Sequence, residues 1–241
     1  MAVDFLALNF RDQTQSIQNL PAKSNMKHTI VKICGITDVE MALHAAEAGA
    51  DAIGLVFYAQ SPRAIELPIA STISAALPKH VMSVALFVNE DDAKIRQVIE
   101  AVNPAVLQFH GDEDECFCAQ FGKPYWKAIR VNASVDLLNC HQLYPGAERI
   151  LLDTGKPGAG NNNAPEQYGG SGQTFDWQRI PLEMRPQIIL SGGLNVANVG
   201  SAIQSINPWA VDVSSGVEES KGVKSRLLIS QFMNEVLRAK V

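Results

Sequence analysis

From residue 26 onward the chain alternates short β-branched or apolar runs with longer stretches of helical period, and the alternation repeats eight times. The runs that read as strands are Thr29–Cys34, Ala52–Phe57, Val81–Phe87, Ala105–Gln108, Tyr125–Ile129, Arg149–Asp153, Gln187–Ser191 and Ala210–Ser214. Between and after them, helical spacing is expected over Val39–Ala48, Pro68–Ala76, Asp91–Val102, Glu113–Phe121, Val135–Leu143, Phe175–Ile180, Asn198–Ser205 and Lys224–Ala239. Strands separated by a helix and spaced about 20 to 30 residues apart must pair in parallel, because a crossover consumes that much chain. Eight such units within residues 26–241 match a closed (β/α)8 barrel, a TIM barrel with parallel strands, whose usual size is about 250 residues. An open doubly wound sheet would call for a Gly-x-Gly-x-x-Gly turn after its first strand. Here Cys34-Gly35-Ile36-Thr37 offers a single glycine.

The pattern begins late. Residues 1–25 sustain no period and end in the polar Pro21-Ala-Lys-Ser-Asn25, without the apolar run of a signal peptide. They are expected to be a dispensable or disordered extension, with the barrel domain spanning 26–241. No apolar stretch approaches the ~18 to 20 residues of a membrane helix. Twenty Lys plus Arg against 25 Asp plus Glu give a net charge of -5, the wrong sign for a surface that attracts a phosphate backbone, so neither nucleic acid nor membrane is expected as a partner. Four cysteines in a chain this large fit a reducing, cytoplasmic setting. Cys116 and Cys118 lack the C-x-x-C spacing and the following His pair of a zinc site, and no metal is expected.

In a barrel of this kind chemistry gathers where strands end and βα loops begin. Strand 1 ends in Cys34, and alternation places Lys32 on the same face, where a cation near the sulfur would favour the thiolate. Cys34 would otherwise be a small inert core residue. Strand 6 ends in Asp153, followed by an aperiodic Gly- and Asn-rich loop, 155–172, whose length points to a lid or binding loop. The last two strands end in Leu190-Ser-Gly-Gly-Leu194 and Val213-Ser-Ser-Gly-Val217, where backbone N–H groups can converge on an anion. Phosphate is the usual occupant of that position. Ser61-Pro62-Arg63 adds a guanidinium able to clamp a carboxylate, and Gln108-Phe109-His110-Gly111 an imidazole.

Taken in order, Lys32-Ile-Cys-Gly-Ile-Thr37, Gly54-Leu-Val-Phe57, Ser61-Pro-Arg63, Gln108-Phe-His-Gly111, Leu152-Asp-Thr154, Gly169-Gly-Ser-Gly-Gln-Thr-Phe-Asp-Trp177, Leu190-Ser-Gly-Gly-Leu194 and Val211-Asp-Val-Ser-Ser-Gly-Val-Glu218 resemble the phosphoribosylanthranilate isomerase family of tryptophan biosynthesis. The resemblance runs from about Lys27 to Val241. It departs at Glu219-Ser-Lys221-Gly222-Val223-Lys224, where the family often has Gly-x-Lys-Asp, and in the insert around Asn161 to Glu166.

The resemblance implies an Amadori rearrangement of N-(5-phosphoribosyl)anthranilate to 1-(2-carboxyphenylamino)-1-deoxyribulose 5-phosphate. Such a step needs one acid, to open the furanose ring, and one base, to remove the proton from C2. It needs neither metal nor organic cofactor. By motif position Cys34 would be the general base and Asp153 the general acid. Arg63 would meet the anthranilate carboxylate, and the backbone of Gly193, Ser215 and Gly216, with Gly172 of the loop after strand 6, would hold the phosphate. Gln108, His110, Gly192, Asp212 and Ser214 complete the expected substrate-binding set. The partner implied is this small phosphosugar anthranilate alone, with the protein a monomer or homodimer. Two other readings stand beside it: an isomerase of the ProFAR type from the histidine pathway, which resembles an Asp at the end of strand 1 and two similar half-barrels, and a phosphosugar-binding barrel without catalysis.

Overall fold

The computed structural model describes residues 29–132, 135–154 and 174–239. Eight parallel strands close into a barrel in sequence order: β1 (Ile30–Cys34), β2 (Ala52–Val56), β3 (Met82–Phe87), β4 (Val106–Phe109), β5 (Tyr125–Val131), β6 (Arg149–Thr154), β7 (Ile189–Leu190) and β8 (Ala210–Val213). Closure is made by β1 against β8, with Lys32 level with Asp212 and Ile33 with Val213. The (β/α)8 expectation therefore holds at every strand position. Helices α1 (Val39–Glu47), α2 (Leu67–Ala76), α3 (Asp92–Val102), α4 (Glu115–Ala119), α5 (Cys140–Leu143) and α6 (Val199–Ile206) fill the crossovers. A short antiparallel hairpin, β9 (Glu218–Ser220) with β10 (Val223–Lys224), precedes the closing helix α7 (Arg226–Arg238).

The helices start where side chains relieve unpaired N–H groups. Asp38, Asp91 and Asp114 accept from Met41, Lys94 and Phe117 at the starts of α1, α3 and α4, and Ser225 from Leu228 at the start of α7. Two expected helices are much reduced. Val135–Leu143 yields only the single turn of α5, and Phe175–Ile180 a 3-10 turn at Trp177–Arg179. Lys224 belongs to β10 rather than to the last helix, because Val223 and Lys224 pair back onto Ser220 and Glu218.

Strand alternation sorts the side chains. Outward residues such as Val31, Ile33, Ile53, Leu55, Leu107, Ile150, Leu152 and Val211 pack beneath the helices in one continuous core. The inward residues form tiers. At the foot of the barrel Ala52, Val84, Val106, Trp126, Leu151, Ile189 and Ala210 make a dry apolar plug. One step up the same strands stand Lys32, Gly54, Gln108 and Asp212, and above them Cys34, Val56, Val88, His110 and Ser214. Lys32, Cys34, Gln108, His110, Asp212 and Ser214 thus bring polar groups into the barrel above this plug, toward the C-terminal ends of the strands.

Candidate active site

The C-terminal ends of the strands line a cavity open to solvent. Cys34 (β1), Arg63 (after β2), His110 (after β4), Asp153 (β6), Gly192 and Gly193 (after β7), and Asp212, Ser214 and Ser215 (on and after β8) all line it. Nine of the expected site residues, drawn from six different strand ends, therefore share one chamber.

Cys34 is buried, and burial pushes its thiol above the ordinary value of 9.0, with Lys32 pulling the other way. Strand alternation alone suggests that Lys32 tunes the sulfur. The structure gives that lysine a second partner, since its Nζ donates to Asp212 Oδ1 at 2.8 Å and both side chains are buried. Burial alone would lower Lys32, but Asp212 first and Cys34 next outweigh it, so the ammonium is held charged. Its influence on the thiol is divided between two anionic sites, and desolvation of the sulfur prevails. Gly54 makes the arrangement possible: a Cβ there would lie 2.7 Å from Cys34 Sγ and 3.0 Å from Lys32 Nζ.

Asp153 is fixed at both oxygens. Its Oδ1 accepts from the Thr154 N–H at 2.7 Å, and its Oδ2 lies 3.0 Å from His110 Nε2. On the far side of the imidazole, Gln108 Nε2 is 3.1 Å from Nδ1. The loop after β7 closes over this carboxylate only because position 192 is glycine. Its φ is +82°, and a side chain would meet Thr154 Oγ1 at 2.1 Å. The Gly193 carbonyl in turn accepts from Asn198 Nδ2 at 3.0 Å, tying that loop to the start of α6.

Two of the expected site residues stand elsewhere. Gln108 is fully buried behind His110 and does not face the cavity; at an inward position one tier below the rim, its amide reaches the imidazole and not the substrate space. Gly216 also falls outside the lining and packs against the Leu194 carbonyl, where a Cβ would come within 1.9 Å. Gly172, with the loop 155–172, lies outside the described residues.

Arg63, expected to offer both arms of its guanidinium to a ligand, already donates from Nε and Nη2 to Glu218 at 2.6 and 2.8 Å. Glu218 and its partner Lys224, joined at 2.6 Å, were not among the expected site residues. The signal that points to them is chemical: two charged residues bracketing a tight turn immediately after the glycine-bearing end of the last strand.

The family model described as N-(5'phosphoribosyl)anthranilate (PRA) isomerase matches residues 31–235. An N-(5'-phosphoribosyl)anthranilate isomerase of Pseudomonas putida is 48% identical over 214 residues, which are 89% of this chain and all of that protein. Among solved structures, phosphoribosyl anthranilate isomerase from Thermotoga maritima superposes with a TM-score of 0.76 at 42% identity, covering 87% of this chain and 99% of that one. A phosphoribosyl anthranilate isomerase in complex with reduced 1-(o-carboxyphenylamino)-1-deoxyribulose 5-phosphate gives 0.73 at 39% identity, with 87% and 99% covered. With its barrel closed in the same way and the family's motifs meeting in one chamber, the chain belongs to the N-(5'-phosphoribosyl)anthranilate isomerase family.

Proposed function

We propose that this tryptophan-pathway isomerase converts N-(5-phosphoribosyl)anthranilate to 1-(2-carboxyphenylamino)-1-deoxyribulose 5-phosphate with Asp153 as general acid and Cys34 as general base. The observation that carries the assignment is that the Cys34 thiol and the Asp153 carboxyl line one cavity, each anchored by neighbours that restrict its position, while the other carboxyl of the lining, Asp212, is paired with Lys32. A proton from Asp153 to the furanose ring oxygen breaks the C1–O bond while the anilino nitrogen pushes its electron pair into a C1=N bond. Cys34 then takes the proton from C2. The C2–H electrons form the C1=C2 bond and those of C1=N return to nitrogen, giving the enolamine, which tautomerises to the ketose.

The raised thiol pKa suits this order of events. The iminium cation acidifies C2–H and stabilises a neighbouring thiolate, so the thiol ionises more readily at the stage when the C2 proton is due. Lys32 lies beneath the sulfur as a fixed cation. Ser214 Oγ donates to the Cys34 carbonyl at 3.0 Å and holds the end of β1 in place. The glycine- and serine-bearing turns after β7 and β8 supply the wall suited to the phosphate, and Arg63 the group suited to the anthranilate carboxylate. The four free cysteines among the described residues fit a reducing cytoplasm.

The test is loss of the anthranilate adduct's fluorescence on addition of the protein. Turnover of this substrate together with inactivity on the doubly phosphorylated ProFAR supports the reading; the reverse preference would assign the chain to histidine-type chemistry.

A further inference from the structure

The hairpin β9–β10 is the segment of the motif set that the mechanism leaves without a role, yet it holds the most saturated carboxylate near the cavity. Glu218 Oε1 accepts from Arg63 Nε at 2.6 Å and from Lys224 Nζ at 2.6 Å. Its Oε2 accepts from Arg63 Nη2 at 2.8 Å and from the Gly222 N–H at 3.1 Å. Lys224 Nζ continues to the Ser214 carbonyl and hydroxyl at 3.0 and 3.2 Å. Neither Glu218 nor Lys224 lines the cavity, whereas Arg63 and Ser214 do.

A planar guanidinium presents two edges to carboxylates: the side edge of Nε with one Nη, and the end edge of the two Nη atoms. Glu218 takes the side edge. No described residue accepts from Nη1 of Arg63, so the end edge, Nη1 with the second proton of Nη2, remains for a ligand. Arginine left alone would search many rotamers, and ordering it on binding would weaken the complex. Held between two oxygens of a buried carboxylate, it is ordered beforehand. Lys224 offsets the charge of Glu218, so the three side chains together keep one net positive charge for an incoming anion.

Building on the reading that Arg63 meets the anthranilate carboxylate, we infer that Glu218, supported by Lys224, is a positioning residue that sets selectivity for a carboxylate-bearing aglycone by fixing which edge of Arg63 faces the cavity. The turn that departs from the family pattern, Glu219 to Lys224, then has a defined role, because it returns the Gly222 N–H and the Lys224 ammonium to the same carboxylate.

Calorimetry with two stable ligands tests this: the reduced product analogue, and its counterpart with phenyl in place of carboxyphenyl. The wild type should prefer the carboxylated ligand. Glu218→Ala should cut that preference by at least about tenfold, the worth of well-placed charge-assisted hydrogen bonds, with phenyl-ligand affinity within about twofold of wild type. Glu218→Gln should retain part of the preference, since its amide oxygen can still accept from Nε. The double variant Glu218→Gln/Lys224→Met keeps the cluster's net charge and tests the same point where Glu218→Ala fails to fold; it too should lose preference. Equal weakening of both ligands, or tighter binding of the carboxylated one, would overturn the inference. Arg63→Ala separates the two levels. Loss of preference there with full preference in the Glu218 variants overturns the role of Glu218 alone, and unchanged preference in Arg63→Ala overturns the reading of Arg63 itself.

Discussion

His110 Nε2 stands 3.0 Å from Asp153 Oδ2 inside the barrel, and Gln108 reaches the other ring nitrogen from below. The carboxyl proposed as general acid thus has an imidazole as its immediate neighbour, held by a side chain that never faces the substrate. A group so placed can orient Asp153 and exchange a proton with it between turnovers. His110→Ala is expected to lower kcat by about tenfold to a hundredfold with a smaller change in KM. Gln108→Leu, which leaves the imidazole in place but frees it to rotate, should lower kcat less. Steady-state kinetics on both variants checks the order.

Lys32 and Asp212 form a buried pair, with Asp212 in the cavity lining and Lys32 behind it. Breaking one half strands the other charge away from water, at a cost of about 3 to 5 kcal/mol. Lys32→Met should therefore shift the urea midpoint strongly, and Lys32→Met/Asp212→Leu should recover much of that loss by removing both charges. A double variant no more stable than the single one would show that the pair itself contributes net stability.

Burial holds the Cys34 thiol above its ordinary 9.0. The base form therefore grows as pH rises, and kcat/KM should climb from neutral pH into the alkaline range until another group titrates. A carboxylate at this position ionises far lower, so Cys34→Asp should flatten the climb whatever its effect on rate. A pH profile of both forms decides it.

Glu218 is held at about 2 against an ordinary 4.5, because the hydrogen bonds from Arg63 and Lys224 overcome the penalty of burial. The unfolded chain binds this proton more readily than the folded one. The stabilisation is therefore complete above about pH 4.5 and drains away as pH falls toward 2. Glu218→Gln, which has no proton to take up, should show a shallower fall in stability across that window, measured by urea unfolding at successive pH values.

How much of this is legible in the chain depends on the distance over which a contact acts. The barrel is readable because each strand carries its own period of two, which also assigns Cys34, His110, Asp153, Asp212 and Ser214 to inward positions near strand ends. What sequence reasoning misses are pairs that exist only after closure. Lys32 meets Asp212 across 180 residues because β1 pairs with β8, and Arg63 meets Glu218 across 155 because the hairpin folds back over the loop after β2. Gln108 is misplaced for a simpler reason: alternation gives the direction of a side chain but not its height in the barrel. The shortened α5 and the 3-10 turn at Trp177–Arg179 mark segments where apolar spacing suggests a helix that the fold carries for only a turn.

The division of labour between Cys34 and Asp153 is the central claim, and single-turnover kinetics of Cys34→Ala and Asp153→Asn, paired with calorimetric binding of the reduced product analogue, tests it most directly. Each substitution should slow the chemical step by at least about a hundredfold. The analogue's affinity should stay within about threefold of wild type, since the phosphate and carboxylate contacts are left in place. Turnover close to wild type in either variant would remove that residue from the mechanism.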